Sequence, residues 1–121
     1  RDLHSFPTRR SSDLVVANVL ALRYLREQGA LGRIVTPDAE LFVMISERVD
    51  FSAEERGKLS IFSLSERSLG VTLSGLKYPL ADRTLTAREW LGLSNEFTGV
   101  AASISVRDGT LLVVKHADGV E

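Results

Sequence analysis

The sequence predicts a mainly β protein, in which a small antiparallel β-sandwich follows the last helix and strands of a truncated α/β domain. Short runs of apolar or alternating residues, separated by turn residues, fill the chain from about residue 49 onward. The clearest helical spacing of apolar residues lies before Gly29. Because 44% of the 121 residues are hydrophobic and 26% are charged, the chain can build one ordinary apolar core.

Composition also excludes several kinds of protein. Without cysteine, the chain forms no disulfide framework, thiolate metal site or cysteine nucleophile. A formal charge of −1 gives no bulk attraction to nucleic acid or to a membrane surface. No apolar run approaches the roughly 18 residues that a membrane-spanning helix needs. We therefore expect a cytoplasmic protein with neither a nucleic-acid nor a membrane partner.

The N-terminal segment Arg1–Leu14 (RDLHSFPTRRSSDL) follows neither the strand period nor the helix period. It resembles, residue by residue, an in-frame translation of a common short-read sequencing adapter. We interpret residues 1–14 as an adapter-derived, disordered artefact, with a natural disordered tail as the alternative. On this interpretation the native sequence begins near Val15 without its own N-terminus. Its 12 basic and 14 acidic residues then give a charge of −2.

Residues 15–48 are predicted to be the remnant of an α/β domain. Val15–Gln28 has apolar residues at helical spacing and is followed by a glycine in the C-terminal cap position. Ile34–Thr36 is a short β-branched run, which is typical of a strand. A turn at Pro37–Glu40 then leads to Leu41–Ile45, a continuous apolar strand of the kind that is buried on both faces.

Residues 49–121 are predicted to form the sandwich. Gly75 is expected to relieve a corner between two strands. A hairpin is expected around Asp108-Gly109, because Asp-Gly is the preferred pair for a primed turn. The strands predicted in this region are Lys58–Leu64, Gly70–Leu73, Leu76–Leu80, Val100–Val106 and Leu111–His116.

Few residues outside these strands indicate chemistry. Ser52–Glu55 and Thr86–Glu89 fit capping boxes, which predict short helical turns, and we expect Trp90 to anchor the second turn against the core. His116 stands at a strand end, where we expect a solvated side chain rather than a base or a ligand. The sequence contains no Gly-rich phosphate loop, metal-ligand spacing or nucleophile elbow.

Two segments are more polar than sandwich packing requires. GLKYPL places Tyr78 beside a cation, and GLSNEF places a hydroxyl, an amide and a carboxylate in a row. Ser94, Asn95 and Glu96 offer the donors and acceptors that read the edge of a heteroaromatic ring. Tyr78 offers a stacking face. In the alternative interpretation, Ser94-Asn95 forms a turn and Glu96 is a solvated strand residue.

Three motifs occur in order between Gly70 and Val114: GVTLSGLKYPL, TLTAREWLGLSNEFTG and AASISVRDGTLLVV. Together they resemble the C-terminal domain of bacterial thiamine diphosphokinase, also called thiamine pyrophosphokinase. Upstream, Ala17-Asn18 resembles the end of the family's D-H-x-x-A-N motif. Leu41–Ile45 is similar to the strand that closes the family's nucleotide-binding domain. The resemblance thus covers nearly all of the sequence from Val15 to Val114.

The resemblance implies that the intact protein transfers the pyrophosphoryl group of ATP to thiamine with Mg²⁺, giving thiamine diphosphate and AMP. It implies a homodimer with thiamine between the subunits, an ATP-binding domain ending near residue 48, and a thiamine-binding sandwich over residues 49–121. By position, Ser94 and Asn95 would contact the aminopyrimidine of thiamine. Glu96 and Tyr78 would shape or stack the pocket. Asn18 would belong to the nucleotide site.

The chain also departs from the family's pattern. The Asp-His pair falls on Asp13-Leu14, so the histidine is missing, and the acidic motifs that hold Mg²⁺ and ATP come earlier in the family than the matched region. Because pyrophosphoryl transfer needs metal-bridged phosphate oxygens, we expect this chain alone to be inactive and to bind Mg²⁺ and ATP poorly. We assign it no catalytic or metal-ligating residue. The alternative function is a non-catalytic β-sandwich for ligand binding or dimerisation.

Overall fold

The computed structural model describes residues 18–89 and 92–117 of the chain. Residues 18–27 are helical and are labelled α1. The strands of this part of the chain are β1 (Arg33–Val35), β2 (Ala39–Ile45), β3 (Arg48–Phe51), β4 (Lys58–Ser63), β5 (Arg67–Ser74), β6 (Leu80–Thr86), β7 (Leu93–Glu96), β8 (Ala102–Ser105) and β9 (Thr110–His116).

These strands form two antiparallel sheets. The larger sheet has the order β1-β2-β9-β4-β7, and the smaller sheet has the order β3-β8-β5-β6. Both sheets supply residues to one hydrophobic core, whose members include Leu59, Ile61 and Val113 from the larger sheet and Val71 and Ile104 from the smaller one. Two antiparallel sheets around a shared core make a β-sandwich, so the predicted fold class is confirmed.

The strands before residue 48 are part of the larger sheet. β2 pairs with β9 along its whole length, from Ala39 opposite His116 to Ile45 opposite Thr110. Phe42 of β2 is buried in the shared core. β1 and β2 therefore pack together with the strands that follow residue 48. That residues 15–48 derive from an ATP-binding domain stays a prediction.

The helix α1 agrees with the predicted helix Val15–Gln28, of which residues 15–17 lie outside the described part of the chain. The chain leaves the helix through Gly29 at φ +89°, a conformation that favours glycine. The Arg26 guanidinium donates hydrogen bonds of 2.6 and 2.8 Å to the Glu47 carboxylate, which ties α1 to the β2–β3 connection. Within the described residues, no helix is both long enough and apolar enough to cross a membrane.

The predicted hairpin between Val100–Val106 and Leu111–His116 is wrong. β8 pairs with β3 and β5 in the smaller sheet, whereas β9 pairs with β2 and β4 in the larger sheet. Residues 106–109 therefore cross from one sheet to the other. Gly109 has φ +154°, and a Cβ at this position would lie only 2.6 Å from Ser68 Oγ. The Asp-Gly pair marks a change of direction, but it does not specify which strands become neighbours.

The predicted strand Leu76–Leu80 is also wrong, because residues 75–79 form a loop and β6 begins only at Leu80. One bridge, between Leu76 and Phe97, attaches this loop to the chain that follows β7. The predicted corner at Gly75 is confirmed. Its φ is +74°, and a Cβ there would lie 2.1 Å from the Ala101 carbonyl oxygen.

The two predicted capping boxes form turns rather than helical turns. In the first, Ser52 Oγ accepts a hydrogen bond of 3.3 Å from the Glu54 N–H. In the second, Glu89 Oε1 accepts a hydrogen bond of 3.2 Å from the Thr86 N–H. These are the side-chain bonds of a cap, formed without a helix after them. Trp90 lies outside the described residues.

Candidate functional site

A cavity of about 490 Å³ lies between the β7 side of the larger sheet and the 75–79 loop. It brings together the two polar segments that the sequence singles out, and it adds residues from β4 and the end of β9. The lining residues are Lys58, Leu59, Ser60, Lys77, Tyr78, Ser94, Asn95, Glu96 and His116.

The register of β4 and β7 sets which side chains share a face. Ser60 lies opposite Ser94, and Lys58 lies opposite Glu96. Because successive side chains of a strand point to opposite faces, these four side chains share one face of the sheet. Asn95 lies opposite the fully buried Leu59 and belongs with it to the core face. The alternative interpretation of Ser94-Asn95 as a turn is therefore excluded, since both residues are in β7.

His116 reaches the cavity through the pairing of β4 with β9. Ser60 lies opposite Val114, so His116, two residues further along, is its diagonal neighbour on the same face. Ser60 Oγ and His116 Nε2 are 3.3 Å apart, within hydrogen-bonding distance. Sequence reasoning missed this pair because the two residues are 56 positions apart. The alternation of residues along β4 predicts that Ser60 lies on the polar face of the strand, but it does not predict that His116 is its neighbour there.

Tyr78 is held at the cavity by its main chain. The Tyr78 N–H donates a 2.9 Å hydrogen bond to Asn95 Oδ1, and Asn95 Nδ2 donates a 2.8 Å hydrogen bond to the Tyr78 carbonyl oxygen. Asn95 Oδ1 also accepts a 3.0 Å hydrogen bond from the Glu96 N–H. Since the Tyr78 residue is 58% exposed, its ring remains open to a ligand even though the backbone is fixed.

The charges at the cavity partly compensate one another. Lys77 Nζ lies 3.8 Å from Glu96 Oε1 and 5.5 Å from the centroid of the Tyr78 ring. The Lys77 N–H also donates a 3.0 Å hydrogen bond to the Glu96 carbonyl oxygen. Lys77 thus lies near both the Glu96 carboxylate and the Tyr78 ring, and the carboxylate can accept a hydrogen bond from a bound amino group.

The predicted site residues Tyr78, Ser94, Asn95 and Glu96 all line this one cavity. Asn18 does not: it is an exposed residue of α1 and is not among the lining residues. Within the described ranges, no three carboxylate or imidazole side chains come together as a metal-binding group.

Two smaller cavities differ in chemistry. One, of about 260 Å³, is lined by Glu40, Glu55 and Lys115 among others. There the Lys115 ammonium lies 2.8 Å from Glu55 Oε1 and 3.5 Å from Glu40 Oε1, so its charge is already compensated. The other, of about 370 Å³, lies on the smaller sheet and is lined by residues that include Arg48 and Asp50. The cavity on the smaller sheet also has an aromatic ring, Phe51, and two hydroxyl groups, Ser74 and Ser103, but neither smaller cavity has a tyrosine among its described lining residues.

The fold and the cavity define a class of protein, a β-sandwich with a small-molecule pocket of polar and aromatic groups. Residues 46–111 match the family model described as thiamin pyrophosphokinase, vitamin B1 binding domain. Because this match covers more than half of the chain, the chain belongs to that family. A search of the curated proteins gave no match.

Solved structures of thiamin pyrophosphokinases share the fold of this chain. The thiamin pyrophosphokinase from Geobacillus thermodenitrificans matches with a TM-score of 0.76 and 26% identity over 88% of this chain and 49% of that one. The Bacillus subtilis enzyme matches with a TM-score of 0.79 and 23% identity over 88% and 50% of the two chains. The yeast enzyme, at 18% identity, shares the fold with a TM-score of 0.70 over 87% of this chain and 36% of the yeast chain. The chain thus spans about half the length of the bacterial structures.

Proposed function

We propose that the 490 Å³ cavity binds thiamine and that this chain supplies the thiamine site of a thiamine diphosphokinase. One observation supports this most strongly: the polar segments around Tyr78 and Ser94, which are far apart in the sequence, line the same cavity. Both segments lie within the residues that match the vitamin B1 binding domain.

The chemistry of the cavity suits the two rings of thiamine. The exocyclic amino group of the aminopyrimidine is a hydrogen-bond donor, and the Glu96 carboxylate and the Ser94 hydroxyl are available as acceptors. The cationic thiazolium ring is attracted to a carboxylate and to an aromatic face, which Glu96 and Tyr78 provide. We therefore assign Glu96 and Ser94 to the polar edge of the ligand, and Tyr78 to stacking.

Calorimetric titration with thiamine tests this assignment. Glu96→Gln keeps the shape of the side chain but removes its charge, and we expect roughly 5- to 30-fold weaker binding from the loss of a charge-assisted hydrogen bond. The matched control is Asp50→Asn, the same chemical change at another cavity, which should leave the affinity unchanged. The proposal is wrong if the unaltered chain shows no saturable binding, or if the two variants weaken binding equally.

We propose further that the whole protein transfers a pyrophosphoryl group from ATP to thiamine, and that this 121-residue chain does not. The family assignment supports the first statement, and the length of the chain relative to the bacterial structures supports the second. The purified chain should therefore form no AMP from ATP, Mg²⁺ and thiamine, under conditions in which the Geobacillus thermodenitrificans enzyme does. AMP formation by the chain would contradict the second statement.

The alternative of a non-catalytic binding module is separated from the transferase by the genomic sequence that precedes the codon of Val15. A reading frame of about 100 further codons with acidic motifs supports the transferase, since ordinary domains have about this length. A start codon close to Val15 supports the binding module.

Homodimerisation, which the family resemblance implies, is tested by sedimentation equilibrium of the chain with and without thiamine. A monomer under both conditions contradicts it.

A further inference from the structure

Asn95 is a buried polar residue at the edge of the proposed thiamine site. Its neighbours Ser94 and Glu96 share the strand face of Ser60, whereas Asn95 lies on the face of Leu59, which belongs to the core. Asn95 is only 4% exposed. Its side chain therefore offers little surface to a ligand that occupies the cavity.

The hydrogen-bonding capacity of Asn95 is almost used up. A carboxamide oxygen has two lone pairs, and Asn95 Oδ1 already accepts from the N–H groups of Tyr78 and Glu96. Of the two hydrogens on Nδ2, one is donated to the Tyr78 carbonyl oxygen. Asn95 therefore has no acceptor left for the amino group of a ligand and has a single donor hydrogen.

The three hydrogen bonds of Asn95 lie where the antiparallel pairing between the 75–79 loop and β7 would otherwise continue. Leu76 lies opposite Phe97 in an antiparallel bridge, and the same register would bring Tyr78 opposite Asn95. At that point the carboxamide of Asn95 accepts a hydrogen bond from the Tyr78 N–H and donates one to the Tyr78 carbonyl oxygen. These are the two bonds that the main chain of a paired strand residue would form. The loop thus leaves the sheet at Tyr78 with its main chain held, which fixes where the ring can lie.

We propose that Asn95 is a positioning residue that sets the Tyr78 ring for stacking, and that Ser94 and Glu96 read the polar edge of the ligand. The inference rests on the proposed binding of thiamine. It assigns to Asn95 a role different from the direct contact that the family resemblance implies.

A double-mutant cycle of thiamine affinity tests this proposal. If Asn95 acts through Tyr78, Asn95→Ala should weaken binding about tenfold in the unaltered chain but less than about twofold in a Tyr78→Ala background, because coupled residues are not additive. The matched control is Ser94→Ala, which should weaken binding by the same factor in both backgrounds. Equal losses from Asn95→Ala in the two backgrounds would overturn the proposal.

Asn95→Ala leaves partly buried backbone groups of Tyr78 without their side-chain partner, so a second variant is needed if it does not fold. Asn95→Asp keeps the oxygen acceptor and loses the donated bond, and it should show the same dependence on Tyr78. Hydrogen exchange of the ligand-free protein gives a readout that does not involve thiamine. In Asn95→Ala, which removes the acceptor of the Tyr78 N–H, the Tyr78 amide should exchange at least tenfold faster, and an unchanged rate contradicts the proposal.

The outcomes also separate this inference from the proposed function. If the unaltered chain binds no thiamine, both are contradicted. If it binds thiamine and the losses are additive, only the positioning role of Asn95 is contradicted, and direct contact with the ligand is favoured.

Discussion

Gly75 shows how a single residue determines the path of the loop over the site. Its φ of +74° favours glycine, and a Cβ would meet the Ala101 carbonyl oxygen at 2.1 Å. Gly99 has a similar φ of +85°, but a Cβ there would meet nothing within 4 Å. The two glycines therefore separate the effect of backbone conformation from that of close approach.

Gly75→Ala should consequently destabilise the fold more than Gly99→Ala. Both substitutions carry the conformational penalty of roughly 1–2 kcal/mol for an L-residue with a left-handed backbone. Only Gly75→Ala adds a collision with main chain, and we expect it to lower the free energy of unfolding by at least about 1 kcal/mol more. Urea denaturation of the two variants measures the difference. Equal losses would mean that the close approach to Ala101 is not required.

The ion pair between Arg26 and Glu47 makes the attachment of α1 dependent on pH. The hydrogen bonds from Arg26 hold the pKa of Glu47 below its ordinary value, although partial burial opposes them, and a bond from the Ile45 N–H acts in the same direction as Arg26. A carboxyl group whose pKa is lowered by folding adds stability above its unfolded pKa. That contribution is lost as the pH falls through the folded pKa.

Glu47→Gln should therefore lower the free energy of unfolding near pH 7, and the difference from the unaltered chain should shrink below about pH 4.3, the ordinary pKa of glutamate. Chemical denaturation between pH 7 and pH 3 measures this difference. As a control, the same substitution in an Arg26→Gln background should show a much smaller pH dependence. A difference that stays constant over the whole range would contradict the assignment.

Among the structural elements, β4 connects the core to the site. It lies between β9 and β7 in the larger sheet, with Leu59 and Ile61 fully buried and Ser60 at the cavity. One strand thus uses one face for packing and the other for the site. This alternation is local, so the sequence predicts the strand, as Lys58–Leu64, close to its observed bounds of Lys58–Ser63.

Ile61→Ala tests the contribution of β4 to the core. We expect it to lower the free energy of unfolding by about 2–5 kcal/mol, the usual cost of truncating a buried aliphatic side chain. Val35→Ala, at a strand residue that is 75% exposed, serves as the control and should change it by less than about 0.5 kcal/mol. A loss at Ile61 no larger than that at Val35 would contradict the central position of β4.

The elements that the sequence misplaces share one physical cause. Turn chemistry at Asp108-Gly109 and the apolar run in Leu111–His116 are local signals, and both correspond to real features. The partner of each strand is decided by packing across the whole sandwich, and this places β8 and β9 in different sheets. Residues 75–79 are likewise held as a loop by Asn95, which no pattern within that segment reveals.

At the scale of the whole molecule, the sandwich positions the proposed site by bringing four separate segments, residues 58–60, 77–78, 94–96 and 116, to one side of the larger sheet. Tyr78, Ser94 and Glu96 are predictable because their segments resemble a known family. Ser60 and His116 are not, because they reach the cavity only through the pairing of β4 with its two neighbours. The resemblance indicates residues of the proposed site, and the strand pairing adds Ser60 and His116 to them.

The most direct test of this account is an NMR titration of the ¹⁵N-labelled chain with thiamine. We predict saturable shifts of the amide signals of residues 58–60, 77–78, 94–96 and 116, which line the proposed cavity. The signals of residues 48–51 and 101–103, around the cavity on the smaller sheet, should stay unchanged. Shifts confined to the second group, or no saturable shift at all, would contradict the assignment of the thiamine site.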